Sequence, residues 1–289
     1  MSWGPMVRLL LSLLVIGWAQ LAGAIHPPVS PPASAQRVPR GKEQSSYEVQ
    51  AELDLLDRAN QSRAEASLSP LKMDACLALA ARRHAVVMAA REQLSHQFPD
   101  EAALSDRLTA DCTLRLDGMA ENVAYGTDAA GVHDGLMHSP HHRENLLHAA
   151  YNVAGIGVVR RGSTLYVVED FGHSLPAFSA QGAVDLIAKS VQGTRADSSL
   201  PRLEQKDGSA AQSEACTLAQ ANSLRVPAPA QPGQVRYIVR YTTLEPQTLP
   251  SPAAKAIADP NLHAFAVGAC FARNSTYPSG AYWVTLVFY

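Results

Sequence analysis

The chain has no surplus of either charge: 24 basic against 26 acidic residues leave a formal net charge of -2 over 289 residues. Such a balance creates no long-range field that would gather nucleic acid or acidic lipid, which sets nucleic-acid binding aside. Several chemical templates are missing as well. There is no CxxC pair, no HExxH, no GxSxG, no phosphate-cradling glycine loop and no dinucleotide fingerprint. Thioredoxin-like, zinc-ribbon, zincin, hydrolase-elbow and nucleotide-binding roles therefore have no support. No apolar run reaches the ~20 residues that a spanning helix needs.

The apolar run from Leu9 to Leu21 comes nearest to that length, and its surroundings give it another meaning. Arg8 precedes it and the small residues Ala22, Gly23 and Ala24 follow, which together make the three parts of an export signal. Residues 1–24 are expected to be a cleaved signal peptide, leaving a secreted or periplasmic protein with no stable membrane span. Export brings oxidising conditions, and Cys76, Cys112, Cys216 and Cys270 all lie beyond the signal. Four cysteines permit three connectivities. The simplest joins Cys76 to Cys112 and Cys216 to Cys270, and four buried free thiols are the alternative.

Residues 25–46 are rich in Pro and Ser with no apolar period, and read as an extended spacer. From Tyr47 the pattern changes. Val49, Leu53, Leu56 and Ala59 recur at helical spacing. After the turn SLSPLKMD, Asp74 can cap a second helix carrying Leu77, Ala80, Ala81, His84 and Met88 on one stripe. His84 on that stripe reads as a core histidine. A short helix after Asp128 carries Val132, Leu136 and Met137, and Ser139 with Pro140 starts another helical turn. VAGIGVVR and TLYVVEDF then read as a hairpin around Arg161, Gly162 and Ser163. Helices before a hairpin imply an α+β layered domain spanning 47–188.

The polar stretch 189–213 is expected to be a linker. Beyond it, 214–289 offers a helix around Cys216 and strands at 235–241, 263–273 and 281–289, a small mainly-β (α+β) C-terminal domain. VAGIGVVR (153–160) has the same layout as AVGACFAR (266–273), and DACLALAA (74–81) weakly echoes EACTLAQA (214–221). Either the C-terminal domain is a degenerate partial repeat of the first, or two apolar hairpins look alike by chance.

Five histidines crowd the stretch HDGLMHSPHHRENLLH: His133, His138, His141, His142 and His148. Neutral imidazole is the commonest metal-binding side chain, and zinc can be held by two His, a carboxylate and water. His133, His138 and His148 read as surface groups, whereas His141 and His142 follow a helix start that fixes their direction.

AENVAYG (120–126) and SPHHRENLL (139–147) resemble the two signature stretches of the bacterial branch of the CAP superfamily, the cysteine-rich secretory, pathogenesis-related or SCP-like extracellular domains. NVAGIGVV with EDFG resembles its closing hairpin. Asn60, Arg63, LSPL, His84, Ser95 and His96 appear in the family's order. The resemblance covers roughly 50–175 and implies a three-layer α-β-α sandwich with a large cleft lined by two histidines and acidic residues, where some members bind zinc or another divalent cation. Carried over by motif, these are His96, Glu121 and His142, with His96 and His142 as the metal ligands and all three as the catalytic set, if there is one. Leu136 stands where the family has Trp, His141 where it has Gly, and Ser139 where some members reach a second glutamate.

With that second acid missing, an efficient enzyme is not expected. The leading expectation is an extracytoplasmic binding or interaction module whose partner is a lipid, a peptide or a cell-envelope component. The alternative is a metal-assisted or acid/base hydrolase acting on peptide, ester or cell-envelope material. Glu121 could orient an imidazole in either role, or serve as a structural partner of Arg143.

Overall fold

The computed structural model describes residues 47–110, 113–226 and 235–289. The signal segment, the Pro/Ser-rich spacer and Cys112 lie outside the described residues. In chain order come α1 (Val49–Glu65), β1 (Lys72–Met73), α2 (Ala75–Arg91), α3 (Leu104–Thr109), β2 (Arg115–Gly126), α4 (Ala129–His138), α5 (Pro140–Leu146), β3 (Val153–Arg161) and β4 (Thr164–Leu175). The second half continues with α6 (Ala180–Asp197), β5 (Glu204–Gln205), α7 (Ser209–Ala221), β6 (Tyr237–Thr243), α8 (Ser251–Ile257), β7 (Ala264–Ala272) and β8 (Ala281–Phe288).

The first sheet has the order β1-β3-β4-β2, which leaves β2 on its open edge. Period-2 alternation sends successive side chains to opposite faces. Ile156, Val158, Val167 and Phe171 pack with Leu55, Ala59, Val132, Leu136 and Leu146 beneath α1, α4 and α5. Val159, Tyr166 and Val168 pack with Ala81, Ala85 and Met88 of α2 on the other face. The result is a three-layer α-β-α sandwich. Gly157 is required by the second contact, since a Cβ there would meet the backbone of Ala81 and Arg82 at 2.2 to 2.6 Å.

Local chemistry explains the helix starts. Asp74 accepts from the amides of Cys76 and Leu77, and Asp128 accepts from Gly131. Ser139 makes no side-chain cap, so Pro140 at the first helical position marks the start of α5. On α1 the buried stripe is Glu52, Leu55, Ala59 and Arg63, whereas Val49 and Leu53 are exposed. Apolar periodicity misplaced that face because two charged residues are partnered inside. Glu52 accepts from Arg82 and from the Val158 amide, and Arg63 donates to the carbonyls of Ser69, Leu146, His148 and Tyr151.

The second half follows the same plan. Its sheet has the order β5-β7-β8-β6, again with a two-residue strand pairing in parallel with the first strand of a hairpin. Arg195 of α6 repeats the work of Arg63, donating to Pro201, Ile257 and Asp259. Gln192 holds Leu203 as Asn60 holds Leu71, by amide bonds to both main-chain groups. Ser67 and Ser199, each two residues past its helix, both take a left-handed turn, with φ of 58° and 54°. Gly268 lies against Ala211 and Gln212 of α7 as Gly157 lies against α2.

Two expectations need correction. Residues 189–213 are not a linker. They hold the second half of α6, β5 and the start of α7. Ala183, Val184, Ile187, Ala188 and Val191 of α6 are core of the second half, so that half begins near Ala180 and not at 214. The polar residues that suggested a linker are the solvent face of an amphipathic helix. The sequence echoes were also out of register. Val153 pairs with Lys72 and Ala264 with Glu204, so Val153 corresponds to Ala264, two residues before the apparent match. Ala81 corresponds to Ala211, not to Ala221.

Cys216 of α7 is bridged to Cys270 of β7. The expected pairing of Cys76 involves Cys112, outside the described residues. The halves meet at Arg115, buried over the rings of Tyr282 and Phe271, with its guanidinium on the carbonyls of Pro176 and Leu244. No helix among the described residues is long and apolar enough to cross a membrane.

Candidate functional site

Strand β2 places two neighbouring polar residues on opposite faces of the open edge. Glu121 points toward the α2 side and Asn122 toward α5. Both are buried, at 6% and 0% exposure. Glu121 uses both oxygens: Oε1 lies 3.0 Å from Nδ1 of His96, and Oε2 accepts from Arg107 at 2.7 Å. Arg107 also donates to the His96 carbonyl at 2.9 Å, so α3 ties the loop carrying the imidazole to the carboxylate. The His96 ring is otherwise in solvent. With Nδ1–H donating to Glu121, Nε2 is left as an outward-facing acceptor.

His142 is positioned through its main chain. Asn122 donates to the His142 carbonyl at 3.1 Å and to Glu169 at 3.3 Å, while Asn145 donates to Asn122 at 2.9 Å. Burial depresses the pKa of His142, and the positive fields of His96 and His141 depress it further. Of the three residues singled out by motif, His96 and Glu121 touch, and the charge of His96 acts on His142. The structural partner of Glu121 is Arg107 rather than Arg143.

The remaining histidines disperse. His84 is buried between Glu101 and the Ser95 carbonyl. His133 is half-buried with Nε2 3.0 Å from the Ser62 hydroxyl, and His148 stacks on Tyr151. His138 is exposed beside Asp134.

Sequence reasoning missed three members of this region. Arg107 lies on a short helix that carried no periodic signal. Glu169 and Asp170 were read only as part of a strand motif, yet they are 0% and 1% exposed, directly opposite Asn122 and Glu121. Burial raises the Glu169 carboxyl to about 7 against the opposing effect of the Asn122 hydrogen bond. Asp170 is raised by burial and then by the Glu121 charge, with Arg107 acting the other way. The signal that could have found them is two adjacent acids inside an otherwise apolar strand, where both faces are covered.

The fit to a metal is poor. Both Glu121 oxygens are committed, one of them to a guanidinium, which leaves two imidazoles as donors. Zinc centres use three or four protein ligands. Among the described residues, no group of three or more His, Cys, Asp and Glu side chains could hold a metal ion. Hollows of about 700 Å³ beside α6 and about 300 Å³ between the halves lie elsewhere, the second lined by Leu116 to Met119 of β2 and by Tyr277 to Gly280. Neither contains a cluster of imidazole and carboxylate groups.

The first half is thus a three-layer α-β-α sandwich that carries His96 and Glu121, in contact, at its open sheet edge. Residues 56–171 match the sequence model of the cysteine-rich secretory protein family, CAP. No curated protein matches the chain. Among solved structures, an extracellular SCP-domain protein from Bacillus anthracis shares 26% identity, with a TM-score of 0.41, over 44% of this chain and 41% of its own. A cysteine-rich secretory protein from Staphylococcus aureus shares 25%, with a TM-score of 0.36, over 43% of this chain and 39% of its own. The chain thus spans about two-fifths of each of these relatives. Na-ASP-1 shares 8% identity, with a TM-score of 0.46, but aligns over 86% of this chain and 91% of its own.

Proposed function

We propose that this is a secreted CAP-domain binding module whose cleft takes an anionic or hydrogen-bond-accepting group of an extracytoplasmic ligand, such as a peptide carboxylate or a phosphate of the cell envelope. One observation carries the reading: both Glu121 oxygens are committed, one to Arg107 and one to His96, so the cleft presents imidazole rather than an open carboxylate. His142 lies within reach of the charges of His96 and His141, and an imidazole donates from both ring nitrogens when protonated. The leader-like first 24 residues, the Cys216–Cys270 bridge and the family's secretory description support an extracytoplasmic setting.

A second reading is acid/base hydrolysis without metal. The exposed Nε2 of an imidazole oriented by a buried carboxylate supports it, since that arrangement suits proton transfer. Titration of the protein with inorganic phosphate and, separately, with zinc chloride, followed through the His96 and His142 ring resonances, tests the main reading. Phosphate should move both rings together, and the response should vanish in His96→Ala. Zinc held tightly by both rings, with no response to phosphate, would overturn it.

A further inference from the structure

We propose that Asp170 is a positioning residue of the cleft, a carboxylic acid whose O–H bonds the Glu121 carboxylate from behind and fixes the face that Glu121 turns toward His96. The inference rests on the reading of His96 and Glu121 as the working pair.

Register makes the two acids direct cross-strand neighbours on one face of the sheet, where Cβ atoms lie about 4.5–5.5 Å apart. Asp170 is 1% exposed and its Oδ1 has no hydrogen-bond partner. The charged groups that can reach it are few. On β2 it faces Glu121, and from α3 it faces Arg107. Its β3 neighbour is Gly155, whose missing side chain is replaced by the backbone of Leu77 and Ala78, so no charge arrives from α2 there. His96, in the loop beyond α2, is engaged with Glu121.

Two buried carboxyls thus share one guanidinium. Ionising both would leave a dry, uncompensated negative charge, so one proton stays in the pair. Glu121 is the member that meets N–H donors with both oxygens, and donors favour the ionised form. The proton therefore belongs to Asp170, and the acceptor it can reach is Glu121. The second sheet supplies a contrast. Where Gly155, Asp170 and Glu121 pair in the first, Ala266, Val287 and Ile238 pair in the second, so the pair of acids has no counterpart there.

The test is the pH titration and ring tautomer of His96 by NMR in ¹⁵N-histidine-labelled full-length protein, comparing Asp170→Asn, Asp170→Ala and Glu121→Gln. Asp170→Asn keeps a donor and changes no charge. It should leave the His96 midpoint within about 0.2 pH unit and keep the Nδ1–H tautomer. Asp170→Ala should lose the fixed tautomer. If Asp170 is ionised instead, Asp170→Asn lowers the His96 midpoint by roughly 0.5 unit or more, because a negative neighbour has gone, and the proposal fails. If Asp170→Ala does not fold, Asp170→Asn decides alone. Glu121→Gln separates the two levels: a His96 midpoint unmoved by that change overturns the pair itself, whereas a lowered midpoint there with a failed Asp170→Asn result overturns only the role of Asp170.

Discussion

The two halves of the molecule share a frame and differ in what they bury on it. Each has a buried arginine at the end of its first helix, a side-chain amide clamping the short parallel strand, and a glycine where the opposite helix presses on the hairpin. Along the paired edge and centre strands they part. The first half buries Glu121, Asn122, Glu169 and Asp170, and the matching residues of the second are Ile238, Val239, Leu286 and Val287. His142 gives way to Ala253, counting from the carbonyls that accept from Arg63 and Arg195. The frame therefore does not need the polar site. Buried polar groups cost free energy unless fully partnered, so four of them at positions that are apolar in the other half point to a role beyond the shared frame.

That contrast can be broken where the frame is common. Arg63→Ala strands four main-chain acceptors and Arg195→Ala strands three, so both should destabilise strongly, by roughly 5 and roughly 4 kcal/mol. Denaturant unfolding of each variant, read by near-UV circular dichroism, checks the order. Equal and small losses would show that the two arginines do not carry the frame. Next in size is the bridge. Removing Cys216–Cys270, which are 54 residues apart, frees a loop whose closure is worth about 4 kcal/mol. The loss should appear in amide exchange of α7 and β7 and spare α1 to β4.

The difference itself is sharpened by making the first half resemble the second. Glu169→Leu installs the residue found at the matching position. The Glu169 carboxyl has a folded pKa of about 7 against an ordinary 4.5, so the folded state holds its proton longer than the unfolded state does. Its contribution is intact below pH 4.5 and is lost as pH rises to about 7, a change of about 3 kcal/mol. Glu169→Leu should therefore be more stable than the natural protein at pH 8, by up to that amount, and show no advantage of this origin at pH 4. Thermal melts across that range decide it. An advantage that does not grow with pH would mean that the Glu169 carboxyl is not a buried acid forced to ionise in the folded protein.

How much of this was visible in the sequence follows from the range of each signal. The α2 stripe and the β3–β4 hairpin were legible because their apolar periods are regular and their caps and turns are local. AENVAYG gave Glu121, SPHHRENLL gave His142, and Ser95 with His96 gave the first histidine, all through resemblance; His96 and Glu121 are in contact. β2 was missed because Asp117, Glu121 and Asn122 interrupt any simple alternation. The true face of α1 was hidden because most partners of the buried Glu52 and Arg63 are 30 or more residues away, Arg82 and Leu146 among them. Arg107, Glu169 and Asp170 escaped for the same reason: their meaning lies in cross-strand register and in tertiary pairing. The linker reading failed because a polar helix face and a flexible tether have similar composition.

The claim on which the site depends is that residues far apart along the chain face one another across a single cleft. The pKa of His142 is depressed first by burial and then by the charge of His96, so replacing His96 with Gln should raise the His142 midpoint, as followed by NMR of its ring. A His142 midpoint indifferent to His96→Gln, in a protein that keeps its fold, would contradict the account.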